Sequence, residues 1–207
     1  LIRDLCEDFD LLVLSDEIDW AYVYPPNRFI SPASLEGLRA RTVISDGFSK
    51  VFCMTGWRVG YAAGPRELIC RLHAVQEHAI SAPSTFAQYG CLGALSGYKD
   101  YVERNLAACR RNLDLLLKTL DQEKFVLDSE PEGGFYVYPK LNLDMTSYEF
   151  AEALLNEGVA VIPGEYFGDP RGYLRICYAV SPSVLREGLT KINCLAGRRA
   201  GRSAQRG

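Results

Sequence analysis

The run Leu11-Leu12-Val13-Leu14-Ser15 is short, continuously apolar and ends directly in Asp16-Glu17. A run of this kind suits a parallel strand buried on both faces. Open α/β sheets bind ligands at the carboxyl ends of such strands, so the acidic pair there carries extra weight. Two further strands are predicted at 42–45 and 58–63, the first leading into Gly47-Phe48-Ser49-Lys50 and the second closed by Gly64-Pro65. Leu68, Ile69, Leu72 and Val75 recur at helical spacing in a segment that Pro65 opens from a first-turn position. Ser84 is a candidate N-cap for a helix through Phe86, Tyr89 and Leu92, weakened by Gly90 and Gly93.

At 98–120 the pattern lengthens, with Val102, Leu106, Cys109, Leu113, Leu116 and Leu120 on one face and Arg104, Arg110, Arg111, Asp114 and Lys118 on the other. A helix of this length often links domains, which places a boundary within or just before it. The expected division is 1–97, a smaller α/β domain at 98–196, and a basic tail at 197–207 whose lack of apolar residues predicts disorder. Strands are expected at 135–138, 159–162 and 173–177, and helices at 147–156 and 183–195. The fold class is therefore α/β.

The chain has 207 residues, enough to bury a real core, and its 48% hydrophobic and 24% charged content is ordinary for a globular protein. A formal net charge of −3 offers nothing to nucleic acid or an anionic membrane. Seven cysteines without paired short spacing read as free, buried thiols in a reducing compartment, and so as cytoplasmic; a plastid or mitochondrial address stays open. Neither the cysteines nor His73 and His78, expected on a helix surface, have metal-ligand spacing. There is no apolar run of membrane-spanning length and no secretory signal. Leu1 is not an initiator methionine and the chain opens inside a helical pattern, so it reads as a fragment.

Four residues could carry chemistry. Lys50 lies among Phe48, Val51 and Phe52; a lysine buried beside a cation becomes a Schiff-base former, and the alternative is a surface lysine in a loop. Arg58, inside Gly56-Trp57-Arg58-Val59-Gly60, needs an anionic partner: a phosphate, with Ser49 and backbone amides near Gly47 as further donors, or a structural carboxylate. Asp16 could pair with a pyridinium nitrogen, or with Glu17 simply cap a turn. Arg175, in an otherwise apolar strand, could grip a substrate carboxylate with two hydrogen bonds, or point to solvent.

In combination and order, Asp16-Glu17-Ile18, Ser49-Lys50 with Arg58, Glu132-Gly133-Gly134-Phe135-Tyr136 and Tyr173-Leu174-Arg175 resemble the class I/II aminotransferases. These are pyridoxal-phosphate enzymes of the aspartate aminotransferase fold type (fold type I). Met54-Thr55-Gly56-Trp57-Arg58-Val59-Gly60-Tyr61 and Gly158-Val159-Ala160-Val161-Ile162-Pro163-Gly164 are similar to the bacterial and plastid aspartate or aspartate/prephenate branch. The resemblance implies a partial large domain with a parallel-type sheet at 1–97 and the small carboxyl-terminal domain at 98–196. It implies that Lys50 holds pyridoxal 5'-phosphate as an aldimine and moves a proton at the substrate α-carbon. Asp16 would then face the ring nitrogen, Ser49 and Arg58 the phosphate, and Arg175 the α-carboxylate. The implied reaction passes an amino group from an amino acid to a 2-oxo acid, and the implied full-length assembly is a homodimer. A β-lyase or decarboxylase, a ligand-sensing regulator domain and an inactive remnant are the alternatives.

Three positions depart from the family pattern. Asp19 stands where a tyrosine usually touches the ring hydroxyl, Cys53 where a smaller residue is commoner, and Gly47 lacks a hydroxyl that many relatives use. The amino-terminal half of the large domain, with its stacking aromatic and phosphate-binding helix start, has no counterpart in these residues.

Overall fold

Three strands build the first sheet. β1 (Val13–Asp16) and β2 (Thr42–Gly47) run parallel, with Asp16 registered against Ser45, while β3 (Gly60–Ala63) runs antiparallel to β2 and pairs Gly60 with Gly47. The computed structural model describes residues 1–168 and 172–203. These form two compact units, Leu1–Leu106 and Ala107–Gly207.

In the first unit, α1 (Ile2–Asp8) precedes β1, and α2 (Arg66–Ala79) and α3 (Thr85–Ser96) follow β3. The expectation that β1 is covered on both faces is not met: Leu12 is 65% and Leu14 74% exposed, because no element among the described residues lies over them. For the same reason the apolar positions of the next two helices stay open, with Val75 and Phe86 well exposed. The third strand begins two residues later than expected. Arg58 has φ +56°, a left-handed backbone that cannot continue a pleated strand. Pro65 is the N-cap of α2 rather than a first-turn residue.

The long helix α4 (Tyr98–Thr119) passes from the first unit into the second, and buries Cys109, Leu113 and Leu116 on the predicted stripe. In the second unit β4 (Phe125–Val126) pairs with β6 (Lys140–Leu141), and β5 (Tyr136–Val137), β8 (Leu174–Cys177) and β7 (Ile162–Pro163) form an antiparallel sheet in that order. α5 (Ser147–Asn156) starts on a capping box: the Thr146 hydroxyl accepts from the Glu149 amide, and the Glu149 carboxylate accepts from the Thr146 amide. The core gathers Phe125, Phe150, Leu154, Leu174 and Leu189, with the Phe125 and Phe150 rings edge to face at 5.6 Å.

The last helix, α6 (Pro182–Ser203), runs into the stretch expected to be a tail. It continues past Leu195 through Ser203, with Ala196 buried directly after Leu195, because small and polar residues can still extend an existing helix, and Arg198 is tethered to Glu157 at 2.6 Å. The part of the predicted tail at 204–207 lies outside the described residues. The cysteines are free as expected, but only Cys6, Cys91 and Cys109 are buried; Cys53, Cys70, Cys177 and Cys194 are exposed because their positions fall on the open sides of loops, strand ends and helices.

Candidate active site

Residues 48–59 form a loop whose neck is closed by the Phe48 amide donating to the Val59 carbonyl at 3.3 Å. The neck is narrow because glycines meet there: a Cβ on Gly47 would stand 3.1 Å from the Gly60 Cα and 3.1 Å from the Val59 carbonyl oxygen. Ser49 and Arg58 are the first residues inside that neck, one on each side. Inside it, the Met54 amide donates back to the Phe48 carbonyl at 3.3 Å, and Phe48, Met54 and Cys91 form a buried floor flanked by Phe52, Val59 and Ala94.

Lys50 occupies the first turn of this loop and is half-buried. Three consecutive carbonyls beginning at Lys50 each accept from a side chain. The Tyr22 hydroxyl donates to the Lys50 carbonyl at 2.9 Å, Asn105 Nδ2 to the Val51 carbonyl at 3.2 Å, and the Tyr101 hydroxyl to the Phe52 carbonyl at 3.2 Å. The Phe52 ring also stacks on Phe48 at 5.4 Å and on Tyr101 at 6.0 Å. The lysine backbone is thus held from the turn after β1 and from the first part of α4. None of Tyr22, Asn105 and Tyr101 stood out as a site residue in the sequence. Tyr22 sat in a visible aromatic loop, whereas Asn105 and Tyr101 were two more polar-tipped positions on a helix.

Asp16 ends β1 and stays exposed; its Oδ1 accepts weakly from the Ile18 amide at 3.4 Å. Glu17 is different: it is buried and takes a hydrogen bond from the Ser31 hydroxyl at 2.6 Å, which makes it structural. Asp19 is exposed on one side, yet partial burial of its carboxyl raises its pKa above the usual carboxylate range. The nearby Lys50 charge pulls it back down, and Asp16 pushes it further up. Asp16, Asp19 and Lys50 therefore share one electrostatic cluster at the carboxyl ends of two parallel strands.

Arg58 is exposed, its Nη1 donating to the Thr55 carbonyl at 2.9 Å. Among the described residues it has no carboxylate within ion-pair distance, which removes the structural ion pair as its explanation. Trp57 beside it lies over α3, where a Cβ on Gly90 would come within 2.3 Å of the indole ring. Gly90, read in the sequence as a weak point in a helix, is where that ring fits. Two of the amides near Gly47 have local acceptors: the Gly47 amide donates to Asp46 Oδ1 at 2.6 Å and the Phe48 amide to the Val59 carbonyl.

Arg175 belongs to the second unit, on β8 opposite Ile162. Its guanidinium carbon lies 4.5 Å from the Tyr136 ring centroid and 4.7 Å from that of Phe167. Two aromatic faces thus hold a planar cation that has no carboxylate partner among the described residues.

The family model for aminotransferase class I and II matches residues 1–192. The aspartate/prephenate aminotransferase of Cereibacter sphaeroides is 42% identical over 193 residues, covering 87% of this chain and 48% of that protein. The aspartate aminotransferase of Pyrococcus abyssi is 37% identical over 196 residues, covering 92% of this chain and 50% of that protein. Among solved structures, the aromatic aminotransferase from Pyrococcus horikoshii superposes with a TM-score of 0.87 at 36% identity, covering 96% of this chain and 54% of that one. A Thermus thermophilus aspartate aminotransferase double mutant gives 0.83 at 34% identity, covering 94% and 50%. The chain spans about half the length of the relatives it matches, and its fold is the corresponding part of the aspartate aminotransferase fold, fold type I. With a family match across nearly all of the described residues and the same backbone in solved members, the chain belongs to the aminotransferase class I and II family.

Proposed function

We propose that this chain is the lysine-bearing part of a pyridoxal-phosphate-dependent aminotransferase that moves an amino group from an amino acid to a 2-oxo acid. The observation that carries the reading is the cluster of Asp16, Asp19 and Lys50 at adjacent strand ends, with Ser49 and Arg58 at the neck of the same loop. This donor set fits an aromatic aldehyde that bears a phosphate. Arg58 and the Ser49 hydroxyl would bind the phosphate, the first as a guanidinium without a carboxylate partner among the described residues. The Lys50 amine would hold the aldehyde carbon, and Asp16 would keep the ring nitrogen protonated. The bound cofactor supplies an electron sink for the pair released at the substrate α-carbon.

The remaining work falls to this chain's own groups. Lys50 would carry the proton away from the α-carbon of the amino acid in one half-reaction and deliver one to the corresponding carbon of the 2-oxo acid in the other, and the clamp on its backbone would limit how far the amine strays. Arg175, flattened between Tyr136 and Phe167, would orient the α-carboxylate of amino acid and oxo acid alike. Relatives named for aspartate, for aspartate/prephenate and for aromatic amino acids match over 193 to 196 residues, so the proposed substrates stay at the level of amino acid and 2-oxo acid. A homodimer of the full-length protein belongs to the same reading.

The test is absorbance spectroscopy of the chain mixed with pyridoxal phosphate, with Lys50→Ala as control. A lysine-dependent band that an amino acid bleaches and a 2-oxo acid restores is expected. A spectrum unchanged by Lys50→Ala overturns the proposal.

A further inference from the structure

We propose that the Tyr22 hydroxyl is a positioning group that fixes the spacing between Asp16 and Lys50, by tying the turn after β1 to the carbonyl of Lys50. The inference rests on the reading of Asp16 and Lys50 as holders of one ligand. Tyr22 acts through the main chain and is assigned no contact with a reacting atom.

The sheet supplies one fixed end. Asp16 and Ser45 are registered partners on β1 and β2, and the Glu17 amide donates to the Ser45 carbonyl at 2.8 Å. Two segments leave the sheet from this pair, one from Glu17 to Tyr22 and the other from Asp46 to Lys50. The first is folded on itself: the Trp20 amide donates to the Glu17 carbonyl at 3.0 Å and the Tyr22 amide to the Asp19 carbonyl at 2.9 Å. Its base is anchored where the buried Glu17 carboxylate takes the Ser31 hydroxyl. The second segment runs into a turn closed by the Cys53 amide, which donates to the Lys50 carbonyl at 3.2 Å. The Tyr22 hydroxyl donates to that same carbonyl at 2.9 Å. This bond closes a ring of main chain that begins at the Asp16–Ser45 pair and ends at Lys50. A shift of Lys50 against Asp16 therefore has to stretch or break it.

Tyr22 is suited to this work because its side chain is only 6% exposed. Packing holds the ring, and a hydroxyl shut away from water is held to its acceptor by the cost of leaving it. The Lys50 carbonyl keeps the Cys53 amide as a second donor, so removing the hydroxyl does not orphan a buried acceptor. Loss of the hydroxyl thus weakens placement more than it weakens folding, and the two effects can be measured apart.

The experiment compares two modifications of Lys50 in the unmodified chain and in Tyr22→Phe, each read by mass spectrometry of the Lys50 peptide. Acetic anhydride at one fixed pH reports how accessible and how basic the amine is. Pyridoxal phosphate trapped with borohydride adds a demand for placement against Asp16, Ser49 and Arg58. Tyr22→Phe is expected to keep the parent's circular dichroism and acetylation, while trapping falls roughly tenfold, since a misplacement of about 1 Å can cost roughly 100-fold. Hydrogen exchange at the amides of 51–54 should rise with it. Tyr22→Leu, which also removes the ring, is expected to be less stable and to give the same ratio of trapping to acetylation as Tyr22→Phe. Equal trapping in the parent and Tyr22→Phe, or a parallel fall in trapping and acetylation, overturns the inference. If the parent traps no more pyridoxal phosphate on Lys50 than Arg58→Ala does, the cofactor reading fails and hydrogen exchange decides. A rise confined to 51–54 in Tyr22→Phe then upholds the tie, and unchanged exchange overturns it.

Discussion

Gly60 faces Gly47 across the β2–β3 pair so closely that a Cβ added to Gly60 would stand 3.0 Å from the Asp46 carbonyl oxygen. The neighbour is main chain in a sheet, so it cannot swing aside as a side chain would. Gly60→Ala is therefore expected to open the neck between Ser49 and Arg58 and to cost about 1–3 kcal/mol of stability. Urea denaturation measures the loss. A variant as stable as the parent would mean that the neck tolerates widening and does not govern the spacing of its two donors.

The carbonyl clamp predicts a graded effect. Tyr101→Phe and Asn105→Ala each remove one donor from the Lys50 loop and leave an acceptor less well satisfied, at a cost of about 1 kcal/mol apiece. Because both donors serve the same short loop, the double variant is expected to depart from additivity. Hydrogen exchange at the amides of 50–54 reads the loosening directly, and it should rise in either single variant.

Tyr61 gives a pH dependence with a defined sign. Partial burial of its hydroxyl, its hydrogen bond to Asp46, and the negative charges of Asp46 and Glu17 push its pKa up from 10.0 to about 12. The folded chain therefore keeps the phenol proton where the unfolded chain has lost it. The stability this provides is fully present below pH 10 and is lost as the pH rises towards about 12. Spectrophotometric titration of tyrosinate should show a late-ionising group that Tyr61→Phe removes, and the variant should lose less stability than the parent over that interval.

Arg175 between its two rings leads to a prediction in the second unit. Phe167→Leu withdraws one aromatic face from the guanidinium, worth about 0.5–1 kcal/mol for a partly exposed cation–π contact. Chemical denaturation reads that cost. Under the proposed function, calorimetric titration with a 2-oxo acid should show weaker binding as well, because the guanidinium plane is no longer held. Equal affinity in Phe167→Leu would remove the ring from any orienting role.

Residue type and order were enough to reach a good part of this protein. The stripe at 98–120 became α4, and 147–156 became α5 residue for residue, because helical periodicity and capping are local properties read within one or two turns. The run ending at Asp16 was recognisable as a parallel strand, and the combination and order of Asp16, Ser49-Lys50, Arg58 and Arg175 resembled the family matched across residues 1–192. Tertiary structure decided the rest. That Tyr22, Asn105 and Tyr101 converge on three adjacent carbonyls depends on contacts spanning 28 to 54 residues, which no local pattern encodes. That Gly90 makes room for Trp57, that Arg58 adopts a left-handed backbone, and that Asp19 shares its field with Lys50 follow from how separate segments are brought side by side. Local sequence sets the conformation each segment prefers; which side chains then neutralise, clamp or crowd one another is set by through-space distance, and that exists only once the chain has folded.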